Sequence, residues 1–300
     1  MLSFKIITEN DFPKELLQNL SSGERQCATE IVDSLAYDGG DVEYAAAVFG
    51  RCLIFRIYDM GRYLFLFPYA LSDGADVASA IEATSEYAMR EEIPLVFSDV
   101  PAESLSVFRG FRHIDIDAED ANAETYRVRI KTECELISEI PEVSLGRVTL
   151  NAISAQDIAD YAKLCKDENV NKYWGYDYSE DNPSPTDEYF FALAREELAR
   201  GVSMSMAIRA QGEFCGEAVL YAFDGRGSAE FAIRLLPRFH GLGLGSEALL
   251  ATCEIAKSVG LTVLRSKVFS KNISSVAMIK KVAQDCVEEG DFVIFTIYLN

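Results

Sequence analysis

Apolar and polar residues alternate along this chain with two periods, every second residue in some segments and every third or fourth in others, so strands and helices are both expected. In the first half, Phe4 to Thr8, Val42 to Phe49, Cys52 to Tyr58, Tyr63 to Phe67, Leu95 to Ser98, His113 to Ile116 and Thr125 to Ile130 read as strands, the third of the long ones stopping at Pro68. Helices are expected over Glu9 to Leu20, from Ala75 to Arg90 behind a cap at Ser72 or Asp73, and near Ala102 to Arg109. In the second half a strand from Arg147 to Ala152 leads to a helix that opens at Ser154 and runs to about Cys165. After the aromatic stretch Tyr173 to Tyr178, Thr186 caps a long helix through Arg200, in which Phe190, Leu193, Ala194 and Leu198 recur at helical spacing. Val202 to Arg209, Phe214 to Phe223 and Ala229 to Leu236 are joined by short turns and read as an antiparallel meander. Helix Ser246 to Val259, strand Leu261 to Phe269, helix Ile273 to Ala283 and strand Asp291 to Leu299 complete a mixed α/β pattern.

One junction is chemically distinctive. The strand Glu230 to Leu236 stops at Pro237, glycines follow at 241, 243 and 245, and Ser246-Glu247-Ala248 opens a helix. The free N–H groups of a helix's first turn and its dipole favour phosphate, and glycines let the main chain approach such a ligand closely. A dinucleotide site wants the spacing G-x-G-x-x-G and an acid at the end of the next strand. Here the third glycine comes one position early and the next strand carries Arg265 and Lys267, so that reading fails.

Length and charge narrow the picture. Three hundred residues suggest two domains. The acidic segment Thr132 to Gly146, with Pro141 in it, marks the boundary, giving domains 1–140 and 146–300. The net charge is −20, and residues 1–145 carry 12 basic and 27 acidic side chains, while residues 231–300 carry 8 and 6. That balance argues against nucleic acid as a partner; it suits a cationic acceptor together with an anionic cofactor at the glycine turn, or else the acidity only provides solubility. Seven scattered cysteines and two histidines argue against a zinc site or a disulfide framework, and no metal is expected. No stretch approaches the ~20 apolar residues of a spanning helix, so no membrane contact and a cytoplasmic location are expected.

The meander, the glycine turn into a helix, and the strand, helix and strand that follow resemble the GNAT acyl-CoA-dependent N-acyltransferases, and the RimJ/RimL branch in particular. The resemblance covers residues 147 to 300. It implies an α/β fold of α+β type, a mixed and mostly antiparallel sheet flanked by helices, with acetyl-CoA as co-substrate. It implies that Ile233, Arg234, Leu235 and Leu236 run beside the pantetheine arm and that His240, Gly241, Leu242, Gly243, Leu244, Gly245 and Ser246 take the pyrophosphate. His240 stands at the family's usual basic position, and Arg238 can supply that charge if the register shifts by two. Asn272 and Ser275 fall where the family has Asn-x-x-Ser, close to the cofactor arm, and Lys271 and Lys280 are further candidates for phosphate contact.

For catalysis the resemblance implies Glu230 as general base toward the amine and Ser275, or a water, as proton donor to the departing thiolate. The equally open alternative for Glu230 is an ordinary strand-end carboxylate. Tyr173, Trp174, Tyr176 and Asp177 would shape the acceptor pocket, where aromatic faces attract an ammonium group, or else plug the base of a long loop. Arg234 faces either a ligand phosphate or solvent. The first domain has no glycine-rich turn and is expected to be a degenerate GNAT-like or accessory copy that covers the acceptor side or mediates homodimerisation. The expected activity is acetyl transfer to a primary amine, on a protein N-terminus or a small molecule. The alternatives are a non-catalytic acyl-CoA sensor or interaction module, and a glycine turn that is only a connector.

Overall fold

The computed structural model describes residues 5–7, 18, 20–35, 42–59, 63–72, 75–90, 95–118, 125–176, 178 and 182–299. The chain divides into two units, Met1–Lys131 and Thr132–Asn300.

The first unit contains β1 (Lys5–Ile7), α1 (Ser22–Leu35), β2 (Val42–Phe49), β3 (Cys52–Asp59), β4 (Tyr63–Ala70), α2 (Val77–Arg90), β5 (Leu95–Pro101), a 3₁₀ segment (Ala102–Gly110), β6 (Ile114–Ala118) and β7 (Thr125–Ile130). Its seven strands lie in the order β1-β2-β3-β4-β5-β7-β6, antiparallel except for the pair β4 and β5. The helix expected over Glu9 to Leu20 falls almost wholly outside the described residues. Helix α1 begins instead at a reciprocal cap, in which the Ser21 N–H donates to the Glu24 carboxylate and the Glu24 N–H to the Ser21 hydroxyl. Strand β4 does not stop at Pro68 but runs on to Ala70, with Pro68 opposite Ile54. It pairs with β5 only through Phe65 and Leu66, so a missing donor at Pro68 leaves no β5 partner unmet.

The second unit contains β8 (Val143–Leu145), β9 (Val148–Ala152), α3 (Ile158–Lys166), α4 (Glu168–Asn171), α5 (Asp187–Ala199), β10 (Ser203–Ala210), β11 (Glu213–Tyr221), β12 (Ser228–Leu235), α6 (Leu244–Ser258), β13 (Val263–Phe269), α7 (Ile273–Ile279), β14 (Asp285–Glu289) and β15 (Phe292–Tyr298). The sheet order is β14-β15-β13-β12-β11-β10-β9-β8, and β12 and β13 are its parallel pair. One face buries Met204, Met206, Ile208, Leu220, Phe231 and Leu264 against Ala248, Leu249, Ile255 and Ala256 of α6. The other face packs Ala207 and Phe214 against Tyr161, Leu164 and Phe190 of α3 and α5. Because side chains alternate along a strand, Phe231, Ile233 and Leu235 point toward α6, while Glu230, Ala232 and Arg234 share the face under α3 and α5.

Apart from β8, which has no counterpart in the first unit, the two sheets share a strand order. In each, a strand (β1, β9) flanks a three-stranded antiparallel meander (β2-β3-β4, β10-β11-β12). A helix (α2, α6) then leads to a parallel strand (β5, β13), a short helical segment follows, and a hairpin inserts its last strand (β7, β15) beside the parallel one. In each, the parallel pair shares only a few residues before pairing ends.

Candidate active site

Strands β12 and β13 pair only over Ser228 to Glu230 and Val263 to Arg265. Beyond Glu230, β12 runs on to Leu235 and β13 to Phe269 with no shared pair. The split opens into a cavity of about 590 Å³, walled by Ile233, Arg234 and Leu235 on one side and Asn272, Ser275, Met278 and Lys281 on the other. The main-chain groups of β12 that face the split have no strand partner, so an extended ligand with amide groups can pair with them.

The glycine turn closes one end. His240, Gly241, Gly243, Leu244, Gly245 and Ser246 all line the cavity. Gly243 is the N-cap of α6 with φ +82°, a left-handed conformation that suits glycine, and no side chain caps this helix. A methyl group at Gly245 would lie 3.1 Å from the Met278 sulfur, filling the space between the turn and α7. The turn is clamped from behind by Arg147. Its Nε donates to Glu247 at 2.8 Å, its main-chain N–H also donates to Glu247, and its Nη2 donates to the Leu242 carbonyl at 2.9 Å. These donors, the Arg147 side chain first, hold the Glu247 carboxyl below its usual range.

Several expected site residues lie elsewhere. Leu242 points to solvent and contributes only its carbonyl to Arg147. Leu236 is buried among Tyr161 and Phe190, and its N–H already donates to the Cys215 carbonyl, so it has no donor for a ligand. Arg238 pairs with Glu213 at 2.9 Å, away from the cleft. His240 does line the cleft, but its Nε2 is bonded to the Leu235 carbonyl at 2.8 Å, and only the other ring nitrogen is free for a ligand. Glu230 does not line the cavity; it is half-buried at the apex, in the last shared pair before the strands part, opposite Tyr221 on one side and Arg265 on the other. Burial first, and then the Glu230 charge, keep the Tyr221 hydroxyl protonated well above its usual range.

The Arg234 side chain faces neither phosphate nor solvent. It is turned under α3 and α4, where Nε donates to Glu217 at 2.8 Å and Nη2 to the Tyr178 hydroxyl at 2.8 Å, and Nη1 donates to Asn171. The Tyr161 hydroxyl donates to the other Glu217 oxygen at 2.7 Å. Burial works against this guanidinium's charge, Glu217 together with Tyr178, Cys165 and Tyr161 more than offsets it, and the net direction is upward. Asn171 in turn donates to the carbonyls of Leu164, Cys165 and Asp167, ending α3 and setting the angle at which α4 departs.

This network also places the aromatic stretch. The Arg234 guanidinium lies 3.9 Å from the centre of the Trp174 ring, so that face of Trp174 holds a resident cation and is closed to a substrate ammonium. Tyr176 is exposed and packs edge-on against Tyr178. Tyr173 lines the cleft and stacks against Phe269 of β13, bridging the two walls of the split. Asp177 lies outside the described residues. Sequence reasoning missed Met278 and Lys281, which lie three and six residues beyond Ser275 and face the cleft with it, and Glu217, whose role needs the β11–β12 register.

The sheet, its split and the uncapped turn coincide with a family match. Residues 147–283 match the acetyltransferase (GNAT) domain. The GNAT match begins at Arg147, the clamp of the turn, and takes in the whole of β12, α6 and α7. Comparison with curated proteins returns no match. Solved structures similar to this part of the chain include a spermidine N-acetyltransferase from Vibrio cholerae in complex with CoA and spermine (17% identity, 51% of this chain and 96% of that one, TM-score 0.43). They also include Mycobacterium smegmatis RimJ in complex with CoA-disulfide (15% identity, 53% and 86%, TM-score 0.44). A third is RimL, a ribosomal L7/L12 alpha-N-protein acetyltransferase in complex with coenzyme A (16% identity, 53% and 97%, TM-score 0.44). Among the described residues no cluster of side chains suits a metal ion, all seven cysteines are free, and no helix is long and apolar enough to cross a membrane.

Proposed function

We propose that residues 146–300 form an acetyl-CoA-dependent N-acetyltransferase domain acting on a primary amine. The observation that carries this reading is the split between β12 and β13, which ends at a helix N-terminus with glycines and no side-chain cap. That cradle suits a pyrophosphate, which needs N–H donors without side chains in the way. The open edge of β12 at Ile233, and the N–H of Leu235, would pair with the amides of the pantetheine arm. The arm brings the acyl thioester toward the apex, and Glu230 stands there.

Glu230 would take the proton an ammonium acceptor must lose before nitrogen attacks the carbonyl carbon. A carbon–nitrogen bond forms, the carbon–sulfur bond breaks, and the thiolate needs a proton. Ser275 and Tyr173 both bring hydroxyls to the cleft, and the phenol is the stronger acid. A cationic amine also suits a protein of net charge −20.

A non-catalytic acyl-CoA sensor is the second reading, favoured by the position of Glu230 outside the cleft lining. Turnover separates the two. Release of free thiol from acetyl-CoA in the presence of a panel of primary amines is expected, with Glu230→Gln lowering kcat and leaving the KM for acetyl-CoA unchanged. Tyr173→Phe and Ser275→Ala identify the proton donor by which one lowers kcat. Binding of acetyl-CoA without thiol release from any amine would establish the sensor. No binding by calorimetry would sink both.

Residues 1–140 are, in the same proposal, a degenerate GNAT-like copy. Support comes from the shared strand order and from the start of α2, where the Asp76 carboxylate accepts from the Ser79 N–H and hydroxyl and occupies the place a phosphate would need.

A further inference from the structure

A second cavity, of about 420 Å³, lies in the acetyltransferase unit between α5, the end of β9, β10 and the segment before β8. Its body is apolar, formed by Ile140, Ile153, Phe191, Ala194 and Leu198, and its exposed rim carries Glu139 and Arg195. For scale, an apolar cavity of about 150 Å³ is enough for benzene. One polar group is inside. Ser205 lines the cavity, is 8% exposed, and its hydroxyl has no hydrogen-bond partner among the described residues. Its strand neighbour Ser203, by contrast, donates to Glu197. A ligand with a polar substituent can exchange a hydrogen bond with that hydroxyl from inside the cavity.

The register ties this cavity to the reaction. Ser205 lies directly opposite Val219, and Val219 directly opposite Ala232, all on the sheet face that also carries Glu230. Two strand spacings put Ser205 about 10 Å from Ala232. One face of the Trp174 ring is not free to receive a cation, because Arg234 occupies it. The apolar cavity is equally unsuited to an ammonium group, since no carboxylate lies among its inner residues. A molecule seated there would place its apolar body at Leu198 and Phe191, bond a polar substituent to Ser205, and direct its charged end along the sheet toward Glu230.

We infer that the cavity under α5 is the acceptor-body subsite, and that the acceptor is a small amphipathic primary amine with one apolar end rather than a polycation. This rests on the acetyltransferase reading above. The test compares acetylation of hexylamine and 2-phenylethylamine with that of spermine, in the intact chain and in Ala194→Trp, Leu198→Trp and the milder Ala194→Leu. Tenfold or greater preference for the amphipathic amines is expected in the wild type. The substitutions should raise the KM for those amines about tenfold and leave the KM for acetyl-CoA unchanged, and Ser205→Ala should weaken an amine that carries a hydroxyl on its body more than one that does not. Acetylation of spermine as efficiently as the others, or of all amines unchanged in the filled variants, would overturn the inference while leaving the enzyme reading intact. If no amine turns over, calorimetry with 2-phenylethylamine alone decides it. Binding that is lost in Ala194→Leu supports the subsite, and absence of binding to the wild type refutes it.

Discussion

Arg234 and Glu217 stand directly opposite each other on β12 and β11, each side chain 2% exposed, in an ion pair of 2.6 Å with no solvent on either side. Two charges removed from water persist only when partner and hydrogen bonds are complete, and here Tyr161, Tyr178 and Asn171 complete them. Removing one partner leaves an uncompensated buried charge. Arg234→Met or Glu217→Leu should therefore cost about 3–5 kcal/mol in urea unfolding, whereas the double variant recovers part of that loss because no charge is left behind. Additive losses in the double variant would show that the two residues do not act as a pair.

Two basic residues along the cleft are engaged elsewhere: the Arg234 side chain is paired beneath the sheet and the His240 ring is bonded to the end of β12. Lys281 is exposed on the opposite wall. Replacing it with Gln should weaken acetyl-CoA binding about fivefold to tenfold, equivalent to ~1 kcal/mol, and flatten its dependence on salt. Arg238→Gln, which removes a charge held by Glu213, should change that affinity less than about twofold. Titration calorimetry at two salt concentrations checks both, and equal effects would reject this assignment.

Asp157 precedes α3, accepts from the Ser154 N–H and hydroxyl, and forms a fork with Arg209 at 2.7 and 2.8 Å. Burial alone would raise its carboxyl, but Arg209 and the Ser154 donors outweigh burial and hold it below its usual range. A lowered folded-state value means the stabilisation is complete above the unfolded value of about 3.9 and is lost as pH falls through the folded one. The stability difference between wild type and Asp157→Asn should thus be constant from pH 7 to about 5 and shrink below about 4, measured by urea unfolding across that range. A difference that does not vary with pH would mean the charge of Asp157 contributes nothing.

The glycine turn and the meander are legible in the sequence because both depend on local rules, the alternation of Phe231, Ile233 and Leu235 and the conformational need at Gly243. Strand β14 is not, since all five of its residues are exposed and carry no alternation of apolar and polar positions. Helix α1 did carry a readable signal, Ser21 and Glu24 at capping-box spacing, just past the segment expected to be helical. The inward turn of Arg234 depends on a partner 17 residues away across two strands, so the residue alone reads equally well as a phosphate ligand. That Lys281 lines the cleft, and Lys280 and Lys271 do not, is likewise visible only once Ser275 and Met278 are placed on it.

The shared sheet order puts α2 and α6 at equivalent positions, each following a meander and leading to the parallel strand. Their first turns are opposite in character. That of α6 has no side-chain cap, whereas that of α2 holds the Asp76 carboxylate, whose bonds from Ser79, the hydroxyl first, keep it below its usual range and hence charged. A pyrophosphate approaching α2 would meet that charge at close range and find its N–H donors taken. The protein should therefore bind one acetyl-CoA per chain by calorimetry, and Asp76→Ala should lower stability through loss of the cap while leaving the KM for acetyl-CoA within about twofold. A stoichiometry of two would mean that the first unit has an open site despite Asp76.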